Sequence, residues 1–212
     1  MYQTERHRRL RLLVKKLNRE RKRQAKKIDI LCNDLIAAQR DFIRRLNTIS
    51  FTANFYKSIV GASDLARLLN TAGRYVKEEI ADVNITFFLR QPDGFESHVV
   101  EDDKPKIPDK DRLESCLGAE LVENICKSNK VCTMDDMLAM GLEGRPTELS
   151  RVSAVTVPLD QFGRSLGFVL LYRLSEKSFT PDELSRLSSI TVGLSRAVQA
   201  CQAHSHGRDR AH

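Results

Sequence analysis

The 212-residue chain has no tryptophan, and no apolar run in it approaches the roughly 20 residues that a membrane-spanning helix needs. Its first apolar cluster, Leu10 to Leu17, is interrupted by Arg11, Lys15 and Lys16, which excludes the uninterrupted core of a secretion signal. A cytoplasmic protein is therefore expected. Glycine and proline are missing from residues 1–60; Gly61 is the first glycine and Pro92 the first proline. Five cysteines, Cys32, Cys116, Cys126, Cys132 and Cys201, form an odd set without a CxxC pair. That pattern predicts reduced thiols and no disulfide frame. The length suits one ordinary domain with an appendage and leaves no room for a large output module.

What is present is unevenly placed. Residues 1–27 hold twelve Lys or Arg against two Glu, a local charge of +10 within an overall charge of +7. The remaining 185 residues therefore sum to −3. A basic segment on a mildly acidic body predicts a negatively charged partner for that segment alone. The contact candidates are Arg8, Arg9, Arg11, Lys15, Lys16, Arg19, Arg21, Lys22, Arg23, Lys26 and Lys27. Their density suits salt-sensitive, mostly sequence-independent contacts to nucleic acid. The interspersed Leu10, Leu12, Leu13, Val14 and Leu17 suit an anionic membrane surface or a partner's groove as well.

With no breaker and abundant Arg, Lys, Leu, Gln and Ala, residues 1–60 read as one helix. Ile28, Leu31, Leu35, Ala38 and Phe42 follow steps of three and four, the spacing of a coiled-coil seam. The seam continues through Leu46, Ile49 and Ala53 to Tyr56 and Val60. Successive steps of four, Ala38 to Phe42 to Leu46, form a stutter that locally relaxes the supercoil. A helix of about 80–90 Å cannot hide this stripe on one domain, so a homodimer is expected. The alternative is that residues 40–60 pack on the domain that follows.

After Gly61 the pattern changes. Ser63 is the expected N-cap of a helix through Asp64–Ile80, with Leu65, Leu68, Leu69, Ala72 and Val76 on one face. Residues 83–90 alternate as a strand, Pro92-Asp93-Gly94 signals a turn, and Phe95–Val100 returns. Glu101–Asp111 reads as a loop and 111–128 as a helix. A short strand near Val131–Thr133 precedes a turn-rich Asp135–Gly144. Val152–Leu159 and Ser165–Leu174 form a hairpin around Asp160-Gln161-Phe162-Gly163. Thr180-Pro181-Asp182-Glu183 carries a capping hydroxyl, a first-turn proline and a capping-box glutamate. Leu184, Leu187, Ile190, Leu194, Ala197 and Val198 then lie on one helical face, and residues 203–212 read as a disordered tail.

This order of elements over residues 55–200 resembles a GAF domain. The stretch Ser153–Ala197 carries the resemblance: a strand ending in Pro158-Leu159, a glycine-bearing turn, Leu166-Gly167-Phe168-Val169-Leu170, then Phe179, Asp182 and Leu184 leading into the last helix. Gly118 to Asp136 is similar to the family's helix and strand with trailing aspartates. The resemblance implies an α+β (α/β) fold: a central antiparallel sheet flanked by helices, here behind a long N-terminal coiled-coil helix. It also implies terminal helices that often dimerise, and a small molecule between the sheet and its covering loops. The expected organisation is a basic arm (1–27), a coiled coil (28–60), the GAF-like domain (61–202) and the tail (203–212).

The chemistry-bearing residues point away from catalysis. Cys116 and Cys126, ten apart on an expected regular helix, are separated by about 15 Å, beyond disulfide reach. The flanking sequences of GAF-like methionine sulfoxide reductases are missing. No cysteine precedes a histidine, as bilin attachment in relatives requires, and His98 is the one histidine of the domain body. Phe179, Asp182 and Glu183 echo the end of a cyclic-nucleotide motif without its Asn-Lys pair. Asp135 and Asp136 suit capping of the segment after Thr133, and Cys201, His204 and His206 carry no functional weight. No cofactor or metal is assigned from the sequence. If a ligand sits on the sheet, Phe87, Leu89, Val155 and Val169 are placed to line its pocket. The expected function is a non-enzymatic regulatory protein, dimeric through its coiled coil, that relays ligand or partner binding to a separate effector. A nucleic-acid-binding regulator using the basic arm is the first competing reading, and a thiol-based sulfoxide reductase the second.

Overall fold

A computed structural model describes residues 2–62, 64–100, 112–143, 149, 151–173 and 178–209, without the side chains of residues 2, 4 and 204–209. The chain forms two compact units, Met1–Ile49 and Ser50–His212. Helix α1 (Tyr2–Ile59) makes the first unit and contributes its last turns to the second. The breaker-free stretch is thus a single helix, as its composition requires. In the first unit the apolar residues remain on the surface: Ile28, Leu31, Leu35, Leu46 and Ile49 are exposed, and Phe42 is 63% exposed.

The second unit begins with a different helical face. Phe51, Phe55 and Ile59, spaced by four, are buried, while Ala53 and Val60 are exposed. Residues 51–59 therefore do pack on the domain, chiefly through side chains outside the seam, with Tyr56 the seam residue that joins them. Phe55 is fully buried beside Tyr75, ring centroids 5.6 Å apart. The Tyr75 hydroxyl donates to the Phe51 carbonyl, and the Tyr56 hydroxyl donates to that of Ser189.

Helix α2 (Leu65–Glu79) is capped by Asp64, whose Oδ1 accepts from the Arg67 N–H at 2.7 Å. The cap is thus one residue later than the expected Ser63, which lies outside the described residues. Strands β1 (Asn84–Gln91) and β2 (Gly94–Val99) form a hairpin closed by Pro92-Asp93. The expected loop Glu101–Asp111 lies outside the described residues.

The single helix expected over 111–128 is instead a 3₁₀ turn, Leu113–Cys116, and helix α3 (Ala119–Ser128). Leu117 and Gly118 between them are extended, and Gly118 starts the second element as its N-cap. Leucines four apart persist across the break because both pieces bury them against the same sheet. Strand β3 (Cys132–Thr133) leads into helix α4 (Met134–Ala139), the short helix expected after Thr133 at the start of the turn-rich segment. Thr133 and Asp136 cap each other reciprocally there, so of the aspartate pair Asp136 fills the expected capping role.

Strands β4 (Ser153–Gln161) and β5 (Arg164–Arg173) form the second hairpin, with Phe162 and Gly163 at its tip in left-handed conformation and Phe162 94% exposed. The five strands are antiparallel in the order β2-β1-β5-β4-β3. Gly167 holds φ +137° where β5 bulges; a Cβ there would sit 1.9 Å from the Phe88 carbonyl oxygen, so only glycine fits. Helix α5 (Pro181–Asp209) is capped as expected: the Thr180 N–H donates to Glu183 at 2.6 Å, and Glu183 N–H donates back to the Thr180 hydroxyl. It runs through Asp209 rather than ending at the expected tail, because no proline follows Pro181 and the alanine- and glutamine-bearing stretch sustains helix. Residues 210–212 lie outside the described residues.

Two apolar layers sandwich the sheet. On one face Ile85, Phe87, Leu89, Val155, Val157, Val169 and Leu171 meet α2, α5 and the end of α1. On the other Phe88, Phe168, Leu170 and Tyr172 meet α3, α4 and the 3₁₀ turn. Burying each large apolar side chain contributes about 1.5–3 kcal/mol.

Candidate functional site

The four residues expected to line a pocket, Phe87, Leu89, Val155 and Val169, do share one sheet face. That face is the one packed by helices. Phe87 and Val169 border a cavity of about 20 Å³ with Val76, Leu187 and Leu194, and Leu89 and Val155 do not border it. Such a volume holds about one water and no organic ligand, and its walls are apolar. This face is core.

The opposite face differs in kind. Strand register places Thr86 opposite Leu170, Leu170 opposite Thr156, and Thr156 opposite Cys132, so the four form one row across the sheet. Thr86 and Thr156 are both 0% exposed, and neither Oγ1 has a hydrogen-bond partner among the described residues. A buried hydroxyl left unpartnered costs about 1–3 kcal/mol. Two in one row single out this face, since their polar partners are not among the described residues.

The neighbouring rows supply an aromatic platform and a charge pair. Phe88 and Phe168 stack with centroids 4.9 Å apart and planes 17° apart. Tyr172, fully buried, lies beside Glu114 of the 3₁₀ turn. Burial first, and the Glu114 carboxylate second, push its phenol pKa up, with Arg112 opposing. Glu114 pairs with Arg112 at 3.8 Å, and its second oxygen, Oε2, is buried without a partner among the described residues. The site therefore offers hydroxyls and a carboxylate whose charge is already balanced.

The thiols do not form a reactive cluster. Cys126 and Cys132 are buried, and burial pushes the Cys126 thiol up against the opposing influence of Ser165 and Arg90. The Cys132 sulfur lies 3.3 Å from the Ser128 hydroxyl. Cys116 stands on the 3₁₀ turn, not on one helix with Cys126. His98 is half-buried and pairs with Asn70 at 3.2 Å. Glu183 is engaged by Thr180 and by Arg173, which also lies over the Phe179 ring. Among the described residues no three His, Cys, Asp or Glu side chains converge as a metal site. No helix among them is long and apolar enough to cross a membrane.

Outside this domain, Ile28, Leu31, Leu35, Ala38, Phe42, Leu46 and Ile49 follow one another along α1 as exposed residues, and the eleven basic candidates are exposed on the same helix. Sequence reasoning singled out neither Thr86, Thr156, Glu114 nor Tyr172. The available signal was the face of β1 carrying Asn84, Thr86, Phe88 and Arg90, mixed where its opposite is uniformly apolar. A uniformly apolar face is the better core, and a ligand needs some polar partners.

No family model matches the sequence, and no curated protein matches it. Solved structures do match in fold. The GAF domain of a phosphoenolpyruvate-protein phosphotransferase from Coxiella burnetii is 12% identical, with a TM-score of 0.55 over 76% of this chain and 98% of that one. The free methionine-R-sulfoxide reductase from Neisseria meningitidis, solved with its substrate, is 17% identical, with a TM-score of 0.55 over 74% of this chain and 91% of that one. The GAF domain of a sensor histidine kinase from Bacillus halodurans is 15% identical, with a TM-score of 0.50 over 68% of this chain and 99% of that one. The same architecture thus occurs as a domain of a phosphotransferase and of a sensor histidine kinase and as a sulfoxide reductase. From the five-stranded antiparallel sheet, its two helical layers and these neighbours, the chain has the fold of a GAF domain.

Proposed function

We propose that this protein is a non-enzymatic regulator that binds a small molecule on the α3–α4 face of its sheet and acts as a homodimer through α1. The observation that supports the reading best is the row of buried, unpartnered hydroxyls, Thr86 and Thr156. Flanked by the stacked Phe88 and Phe168 and by a carboxylate already balanced by Arg112, they suit an uncharged, partly aromatic molecule with hydrogen-bonding edges. The thiols support a binding role over catalysis, since a nucleophilic cysteine needs a lowered pKa and Cys126 has a raised one.

The exposed seam Ile28–Ala53 supports the dimer, because a stripe of that length in water is covered most simply by a second copy. Its Ala38-Phe42-Leu46 stutter gives the seam two packings of similar energy, and ligand binding shifts their populations. A separate effector reads the shift.

Native mass spectrometry of the untagged protein tests both parts. The expected result is a dimer carrying a discrete extra mass, lost in the Thr86→Val/Thr156→Val variant. A bare dimer whose melting temperature no uncharged aromatic metabolite raises overturns the ligand reading. A monomer overturns the coiled coil.

A further inference from the structure

Because α1 is one regular helix from Tyr2, the angular position of each basic side chain follows from 3.6 residues per turn. On that helix Leu10, Val14, Leu17, Ile28, Leu31 and Leu35 form one narrow stripe. Arg8, Arg11, Lys15, Arg19, Lys22 and Lys26 follow steps of three and four along a second line. The two lines stand about 150° apart. Arg9, Lys16, Arg23 and Lys27 fill the arc between the second line and one side of the stripe, and Arg6 and Arg21 fall in the stripe itself. Charge therefore reaches around most of the helix, and the second line is its densest ridge.

The ridge has three further properties. Its six residues are exposed, and none forms an ion pair among the described residues. The one acidic residue between positions 6 and 28, Glu20, lies on the flank of the stripe, and the ridge ends where Asp29 enters its line. It also spans about 27 Å, with successive charges about 4.5–6 Å apart along the axis, close to one turn of duplex at about 34 Å.

We propose that this ridge docks on the phosphate backbone of duplex nucleic acid without regard to base sequence. Charge complementarity selects an anionic partner. The straight line of unpaired cations on the side away from the apolar stripe selects a polyanion of regular spacing, and leaves the stripe free for a second copy. A helix lying on a membrane would use the stripe itself, anchored by aromatic residues, and none occurs between Gln3 and Asp41. The proposal is independent of what the sheet binds.

Fluorescence anisotropy of the full chain with a labelled duplex tests it. Six phosphate contacts predict a slope of log affinity against log salt near about −5, a loss of about a thousandfold between 50 and 200 mM salt. Two duplexes of unrelated sequence are expected to bind within about threefold of each other. Changing all six residues to Gln is expected to weaken binding at low salt at least about a hundredfold, with circular dichroism confirming that the helix persists. Should that variant fail to fold, exchanging Arg for Lys and Lys for Arg at the six positions keeps the charge, and binding is expected to survive. No binding at low salt overturns the proposal. Equal binding by the folded Gln variant overturns it, and so does loss of binding on the charge-keeping exchange. Binding to phosphatidylglycerol vesicles with none to duplex also overturns it, and assigns the arm to a membrane surface.

Discussion

The two faces of the sheet differ in how much apolar side chain they bury and carry different kinds of information. The sheet face under α2 and α5 is apolar, its void is about the size of one water, and the α5 layer over it buries one hydroxyl, that of Ser195, without a partner among the described residues. The face under α3 and α4 mixes stacked phenylalanines with two buried hydroxyls, a phenol and a carboxylate. Each unpartnered buried polar atom costs about 1–3 kcal/mol, and Thr86, Thr156 and Glu114 place three of them on the α3–α4 side. The contrast teaches that in a two-layered sheet the candidate site is the face with the worse packing chemistry.

The sharpest way to break the comparison is to damage the quiet face. Phe55→Ala, at a fully buried position, is expected to cost about 3–5 kcal/mol in denaturant unfolding, while leaving any ligand affinity of the surviving folded protein unchanged. A smaller effect follows where α5 meets the end of α1. A Cβ at Gly193 would sit 2.1 Å from the Tyr56 ring, displacing it and its hydrogen bond to Ser189. Gly193→Ala is therefore expected to cost about 1–3 kcal/mol, and a melting temperature equal to wild type would show that the ring moves freely.

On the other face the sign reverses. Thr86→Val and Thr156→Val are each expected to stabilise the ligand-free protein by about 1 kcal/mol, by removing an unpartnered hydroxyl, and to weaken ligand binding. Destabilisation on both counts would mean that the hydroxyls serve the fold. The smallest effect belongs to Glu183. Burial raises its pKa, but the Thr180 N–H and Arg173 outweigh that and hold the carboxyl below the usual glutamate range. Its contribution is fully present above the unfolded-state pKa of about 4.3 and is lost as the pH falls through the lower folded value. Glu183→Gln is expected to flatten that acid limb of the stability profile and to cost about 1 kcal/mol at neutral pH.

Legibility in the sequence followed locality. Both hairpins could be read because Pro92-Asp93 and the Phe162-Gly163 tip are short-range signals flanked by alternating residues. The Thr180–Glu183 cap is written within four residues and forms as read. Two features were harder. The break at Leu117-Gly118 hides behind leucines that keep a helical spacing, because both pieces press on one sheet. The row joining Thr86, Leu170, Thr156 and Cys132 depends on which strands are neighbours, and no local pattern carries that. Apolar alternation alone picks out the uniformly apolar face and carries no word of that row.

The strand order carries a consequence for how the chain is made. Each hairpin closes within its own short stretch, but the inner edge of β1 pairs with β5, so that Phe88 finds Phe168 about 80 residues later. At about 5–20 residues per second of synthesis, that edge emerges about 4–16 s before its partner exists. Throughout that interval the nascent protein presents an apolar strand with unsatisfied amides, a template for mispairing with any neighbouring chain. The wait between the two hairpins is therefore a window for mispairing that the stability of the finished sheet does not shorten.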